Sequence, residues 1–182
     1  MKSEMQTKQP VAAWVILVVA AVLCIIFGGG RSLKNERSRI EDVFYNGVKG
    51  DGISIAGDMN KRATVAEKLA SLADNYGVAT QALESAIKSC KESGGPSELA
   101  EGNAALEKAV FSVYNALANA DLTKADQKSA RSLYDEFNSR GNTMKNDGYN
   151  ALAEKFNTKT IREFPAGIIA RIRRIKPLAL FR

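Results

Sequence analysis

The sequence predicts an all-α protein: an N-terminal transmembrane helix followed by an antiparallel helical bundle of four to five helices. Three observations predict it. Val11–Phe27 reads VAAWVILVVAAVLCIIF, without one charged or strongly polar side chain. Beyond it, apolar residues recur at three- and four-residue spacings, as one face of a helix requires. No alternating strand pattern of useful length occurs anywhere.

At a rise of about 1.5 Å per residue, the apolar run spans about 26 Å. Gly28–Gly30 extend it toward the ~30 Å of a hydrocarbon core. A helix apolar on every face has no polar side to turn to water in a small domain, so lipid is its better solvent. Trp14 near one end suits the headgroup level. A cleaved secretory signal competes with this reading, because Gly28–Gly30 supply small residues for a cleavage site. A lipoprotein signal does not fit, since Leu23 rather than a small residue precedes Cys24. Lys2 and Lys8 precede the span, whereas Arg31, Lys34, Arg37 and Arg39 follow it closely, which favours a cytoplasmic body. The expected organisation is a polar tail over 1–10, the span over 11–30, the bundle over 31–162 and a basic amphipathic tail over 163–182.

Residues 31–45 carry Leu33, Ile40, Val43 and Phe44 at helical spacing, a helix that is either continuous with the span through Gly28–Gly30 or joined to it by a flexible or kinked junction at the three glycines. Asn46–Gly57 is glycine-rich and reads as a loop; Asp51-Gly52 lacks the oxygen ligands a calcium loop needs. Asp58 is the expected N-cap of a helix whose stripe is Val65, Leu69, Leu72 and Tyr76, with Ala63, Ala66, Ala70 and Ala73 beside it. Gly77 breaks it, and Ala79, Leu83, Ile87 and Cys90 resume the pattern. Ser93-Gly94-Gly95-Pro96 is the strongest stop signal, after which Ser97 and Glu98 restart a helix bearing Leu99, Leu106, Val110, Val113 and Leu117. Thr123 and Asp126 have capping-box spacing. A last long helix over 124–158 follows, its seam Ala130, Leu133, Phe137, Met144, Ala151 and Leu152, interrupted by Gly141 and Gly148.

Net charge is +6, and most of the excess is local. Residues 31–162 balance to +1, whereas residues 163–182 carry +4. There Ile168, Ile169, Ile172 and Ile175 interleave with Arg171, Arg173, Arg174 and Lys176. A short basic amphipathic element beside an anchor suits an anionic lipid surface; alternatively, the isoleucines cover the end of the bundle. Nucleic acid is not expected, because aromatics are not interleaved with the cations. The chain has no histidine, and its two cysteines have no spacing for a zinc site. No catalytic, cofactor or metal residues are predicted.

The closing stretch Tyr149–Phe181 then resembles the LemA family of bacterial membrane proteins. Its Tyr149-Asn150 pair, Asn157, Phe164-Pro165, Lys176-Pro177 and Phe181 are similar to that family's closing pattern. The front half departs from it, with Phe44 where the family has a tryptophan. The resemblance implies a divergent member: a helical bundle on a single-pass anchor in a bacterial cell membrane, without implied catalytic residues. The expected role is a membrane-tethered scaffold or signalling-associated protein, not an enzyme. Its expected partners are the membrane and an unidentified protein, with a second copy of the chain one candidate. The alternative is an envelope-associated hydrolase or peptidase accessory using carboxylates such as Glu41–Asp42 or Asp135–Glu136, although neighbours on a helix diverge by about 100°.

Overall fold

The computed structural model describes residues 5–48, 50 and 53–181, with side chains from Val11 onward. It is all-helical, and the described residues contain no strand. Asp51 and Gly52, considered above for calcium, lie outside the described residues. The chain forms two compact units. One combines Met1–Ser38 with Lys155–Pro177, and the other combines Arg39–Glu154 with Leu178–Arg182.

In the first unit, α1 (Met5–Asn46, 42 residues) begins within the stretch expected as a polar tail and runs on into the second unit. It is long and apolar enough to cross a membrane, and none of its most apolar stretch is buried. Val15, Ile16, Leu17, Val18 and Val19 are all more than half exposed, so this stretch of α1 packs into neither core, whereas Leu33, Ile40 and Phe44 further along the helix are buried. Of the two alternatives for the junction at Gly28–Gly30, the structure has the continuous helix. The glycines have a different use. A Cβ on Gly29 would lie 2.7 Å from Ile169 Cδ1, and one on Gly30 would lie 2.7 Å from Arg173 Cγ. They form a notch into which α7 (Ala166–Ile172) packs, and the roughly 1 kcal/mol that each glycine costs a helix is offset by that close approach. Leu33, Ile169 and Ala170 are buried together, with Ile161, Ala166 and Ile175 against them.

The second unit is a bundle of α2 (Ile55–Asp74), α3 (Gln81–Lys91), α4 (Pro96–Ala118) and α5 (Lys124–Lys145), with α2 packed on the other three. The alanine-rich face of α2 is buried throughout: Ala63, Ala66, Ala70 and Ala73 let neighbouring helices approach. Ser54, rather than Asp58, caps α2; its Oγ accepts the Gly57 N–H at 3.1 Å. Asp58 lies one turn inside, buried, where its carboxylate pairs with Arg140 at 3.3 Å. Gly77 takes φ +67°, which a larger residue resists, and turns the chain after α2. Ala79 falls in that turn and is exposed. Gly95 caps α4 with Pro96 at its first turn, so the helix starts ahead of the expected Ser97.

The predicted helix over 124–158 is divided. α5 stops at Lys145, Asp147 Oδ1 accepts the Tyr149 N–H at 2.7 Å, and α6 (Gly148–Lys155) restarts in a different phase. Tyr149, Ala153 and Phe156 are buried in consequence, while Ala151 and Leu152 of the expected seam are exposed. A π-helical turn, Phe156–Thr160, follows α6.

Arg62 is the largest fully buried side chain of the bundle. It donates to Asn103 Oδ1, pairs with Glu107 at 3.0 Å and lies 3.9 Å over the Phe137 ring. Gly141 makes room for it: a Cβ there would stand 3.2 Å from Arg62 Nη2. Burial pushes the Arg62 pKa down, and Glu107 opposes that shift. Cys90 is buried nearby, and burial raises its thiol pKa, as for a small core hydrophobe.

Arg62→Ala is expected to lower unfolding free energy by about 3 kcal/mol, through a cavity and an unpaired Asn103. Arg62→Met, which keeps the stem volume, should cost less than half as much in the same chemical denaturation. At the other end of the bundle, Asp126 accepts hydrogen bonds from Tyr76 Oη at 2.5 Å and Thr123 Oγ1 at 2.7 Å, and these hold its carboxyl below the ordinary range. Its contribution is therefore complete above the unfolded pKa of about 4 and is lost as pH falls through the depressed folded value. Tyr76→Phe should raise the Asp126 midpoint in a carboxyl NMR titration.

Candidate functional site

The described residues hold no group of three or more His, Cys, Asp or Glu side chains placed to bind a metal. The acid pairs weighed for hydrolysis are engaged locally: Asp42 accepts from Asn46, Asp135 faces Arg131, and Glu136 faces Arg140. The chemistry that stands out is positive charge gathered on α7 and on the part of α1 that α7 touches.

Pro165 opens α7, after a cis Phe164-Pro165 bond. Gly167 follows at a position where a Cβ would meet the Arg162 carbonyl oxygen at 2.7 Å, so only glycine fits this tight entry. The helix ends in a Schellman motif: Ile175 N–H reaches Ala170 O at 2.9 Å, and Arg174 N–H reaches Arg171 O at 3.2 Å. Arg174 occupies the left-handed position of that motif, φ 51°, where glycine is the usual residue. An arginine there costs on the order of 1 kcal/mol.

This local structure divides the isoleucine stripe. Ile169 packs on α1 at Gly29 and is buried with Leu33, and Ile175 lies against that cluster. Ile168 and Ile172 are each 54% exposed, and Phe164 is 84% exposed. The four predicted surface cations divide as well. Arg171, Arg174 and Lys176 are exposed, whereas Arg173 is half-buried along α1, with its guanidinium 5.3 Å from the Phe27 ring centre. The Arg173 Nε is buried without a hydrogen-bond partner among the described residues.

Two residues that sequence reasoning used only for orientation, Lys34 and Arg37, join the cluster. With Arg174, Ile175 and Lys176 they line a concavity of about 400 Å³. Arg37 Nε donates to the Lys176 carbonyl at 3.2 Å, which fixes the C-terminal side of the concavity. Their three-residue spacing, just past the glycines, is the signal that marks them as one helical face. A larger depression of about 820 Å³ adjoins it through Arg174, Ile175 and Lys176, and is lined by Phe164 and Ile168 among others.

The motif residues fall into two groups. Tyr149, Asn150 and Phe181 meet in the second unit. The Asn150 side-chain amide pairs with both backbone groups of Phe181, donating to its O at 3.0 Å and accepting from its N–H at 2.9 Å. Tyr149 Oη donates to Ala179 O at 2.9 Å. Phe44 packs on Tyr149 and Phe181 with ring centres 5.3 Å away from each, and all three rings are buried. Asn157, Phe164, Pro165, Lys176 and Pro177 belong to the first unit: Asn157 on the π-turn, Phe164 and Pro165 at the entry to α7, Lys176 and Pro177 beyond its end. The motif thus contains a structural clasp and the frame of α7.

No family model, no curated protein and no solved structure matches this chain.

Asn150→Asp keeps an acceptor for the Phe181 N–H but loses the donor to its carbonyl. It should lower stability by about 1–3 kcal/mol and speed amide hydrogen exchange at residues 178–181 selectively.

Proposed function

We propose that this chain is a membrane-tethered helical scaffold or signalling-associated protein of the LemA type, acting through protein and membrane-surface contacts and not through catalysis. A single pass over α1 holds it in a bacterial cell membrane, with the helical body in the cytoplasm.

The sorting of charge between the two units carries this reading. Beyond the apolar run, the first unit has ten Lys and Arg against only Glu36 and Glu163, while the second unit has fourteen against seventeen Asp and Glu. The cations thus gather in the unit that contains the exposed apolar helix. Cations at the end of a span favour the cytoplasmic side, and a polybasic segment there is attracted to anionic lipid. Retention of the apolar helix is supported by Gly29 and Gly30, since cleavage at the glycines would remove the surface on which Ile169 and Arg173 pack. The LemA type rests on the sequence pattern alone, whose residues Tyr149, Asn150 and Phe181 form the clasp. The second unit then serves to bind a protein partner.

In cell fractionation, the full chain should stay with membranes through high salt and alkaline carbonate and leave only with detergent. Its mature N-terminus should retain Val11–Phe27. Release by salt, or a mature chain starting near Arg31, would overturn the tethering.

A further inference from the structure

The concavity lined by Lys34, Arg37, Arg174 and Lys176 concentrates positive charge, and no carboxylate lines it. Lys34, Arg174 and Lys176 make no ion pair among the described residues. Lys34, Arg174 and Lys176, brought together around about 400 Å³, repel one another unless an anion occupies the space between them. Two features show that the arrangement is built. Arg37 is tied to the backbone of Lys176, and Arg174 holds a left-handed backbone conformation that glycine would adopt at less cost. A guanidinium is retained where the backbone prefers no side chain.

Height along α1 narrows the class of anion. Lys34 lies seven residues beyond Phe27, about 10 Å along the axis, within reach of the headgroup layer for a long side chain that extends back toward lipid. The adjoining depression offers Phe164 and Ile168 beside the same cations, and Ile172 is exposed on the same short helix. An amphiphile with a phosphate at one end and hydrocarbon at the other matches both parts.

Building on the membrane tether, we propose that Lys34, Arg37, Arg174 and Lys176 bind the phosphate of an anionic phospholipid, with its acyl portion along Phe164, Ile168 and Ile172. The preferred headgroup leaves the phosphate bare, since a choline cation would meet the like charges of Lys34, Arg174 and Lys176. Arg173 is not part of the site, because its guanidinium lies along α1 over Phe27.

Native mass spectrometry of the detergent-solubilised full chain, titrated separately with phosphatidic acid, phosphatidylcholine and inorganic phosphate, tests this. Phosphatidic acid should bind first and saturably, and more tightly than phosphatidylcholine. The double variant Arg174→Gly, Lys34→Gln should bind it about thirtyfold more weakly, at about fivefold for each cation removed. Glycine suits the left-handed backbone that Arg174 now occupies, so the variant should melt no lower than the parent. Lys128→Gln, in the second unit, should leave binding unchanged. Equal binding of the two lipids, or equal binding by parent and double variant, overturns the site. Equivalent occupancy by inorganic phosphate overturns the lipid as its source. The double variant should still resist carbonate extraction; if the parent chain itself washes off membranes, the tether fails independently of the titration.

Discussion

The contact between α7 and the glycine notch of α1 is the constraint on which the first unit depends. A seven-residue helix has too few internal hydrogen bonds to persist alone. It persists here because Ile169 and Ala170 bury against Leu33, and because Gly29 and Gly30 present no side chain to hold it away. Glycine is a poor helix former, yet α1 runs through all three glycines without a break. At Gly29 and Gly30 the conformational cost is offset by packing that a larger residue would obstruct.

The same contact organises the charges. Arg173 is turned along α1, and the Schellman end of α7 then directs Arg174 and Lys176 toward Lys34 and Arg37. Cations separated by more than a hundred residues in sequence come to line one concavity. Ile168, Ile172 and Phe164 are left exposed by that orientation, so apolar and basic groups share one short element.

The second unit solves a different problem. Its core contains Arg62, whose long stem fills space between helices while its guanidinium finds Asn103, Glu107 and the Phe137 ring. The C-terminal residues return to this unit through Asn150, which offers Phe181 the donor and acceptor that a neighbouring backbone would. Tyr149, Phe44 and Phe181 close over that exchange.

Much of this was legible in the residues. The apolar helix, the helical class, the breaks at Gly77 and Gly95-Pro96, the Thr123 cap and the core placement of Cys90 all follow from local signals: hydropathy, period and cap chemistry. These depend on a few adjacent residues, so a linear reading finds them. The cap at Ser54, the break at Asn146–Asp147 and the division of the isoleucines did not emerge, because each turns on which partner was already satisfied elsewhere. Ser54 opens α2 four residues ahead of Asp58, for example, which leaves the Asp58 carboxylate inside the first turn, where it meets Arg140. Composition and periodicity by themselves determined that the chain is helical and where its hydrocarbon-like segment lies. Only the tertiary structure decided that the glycines receive α7 and that Lys34 meets Arg174, because contacts between distant residues are set by shape and charge in space, which no spacing along the chain encodes.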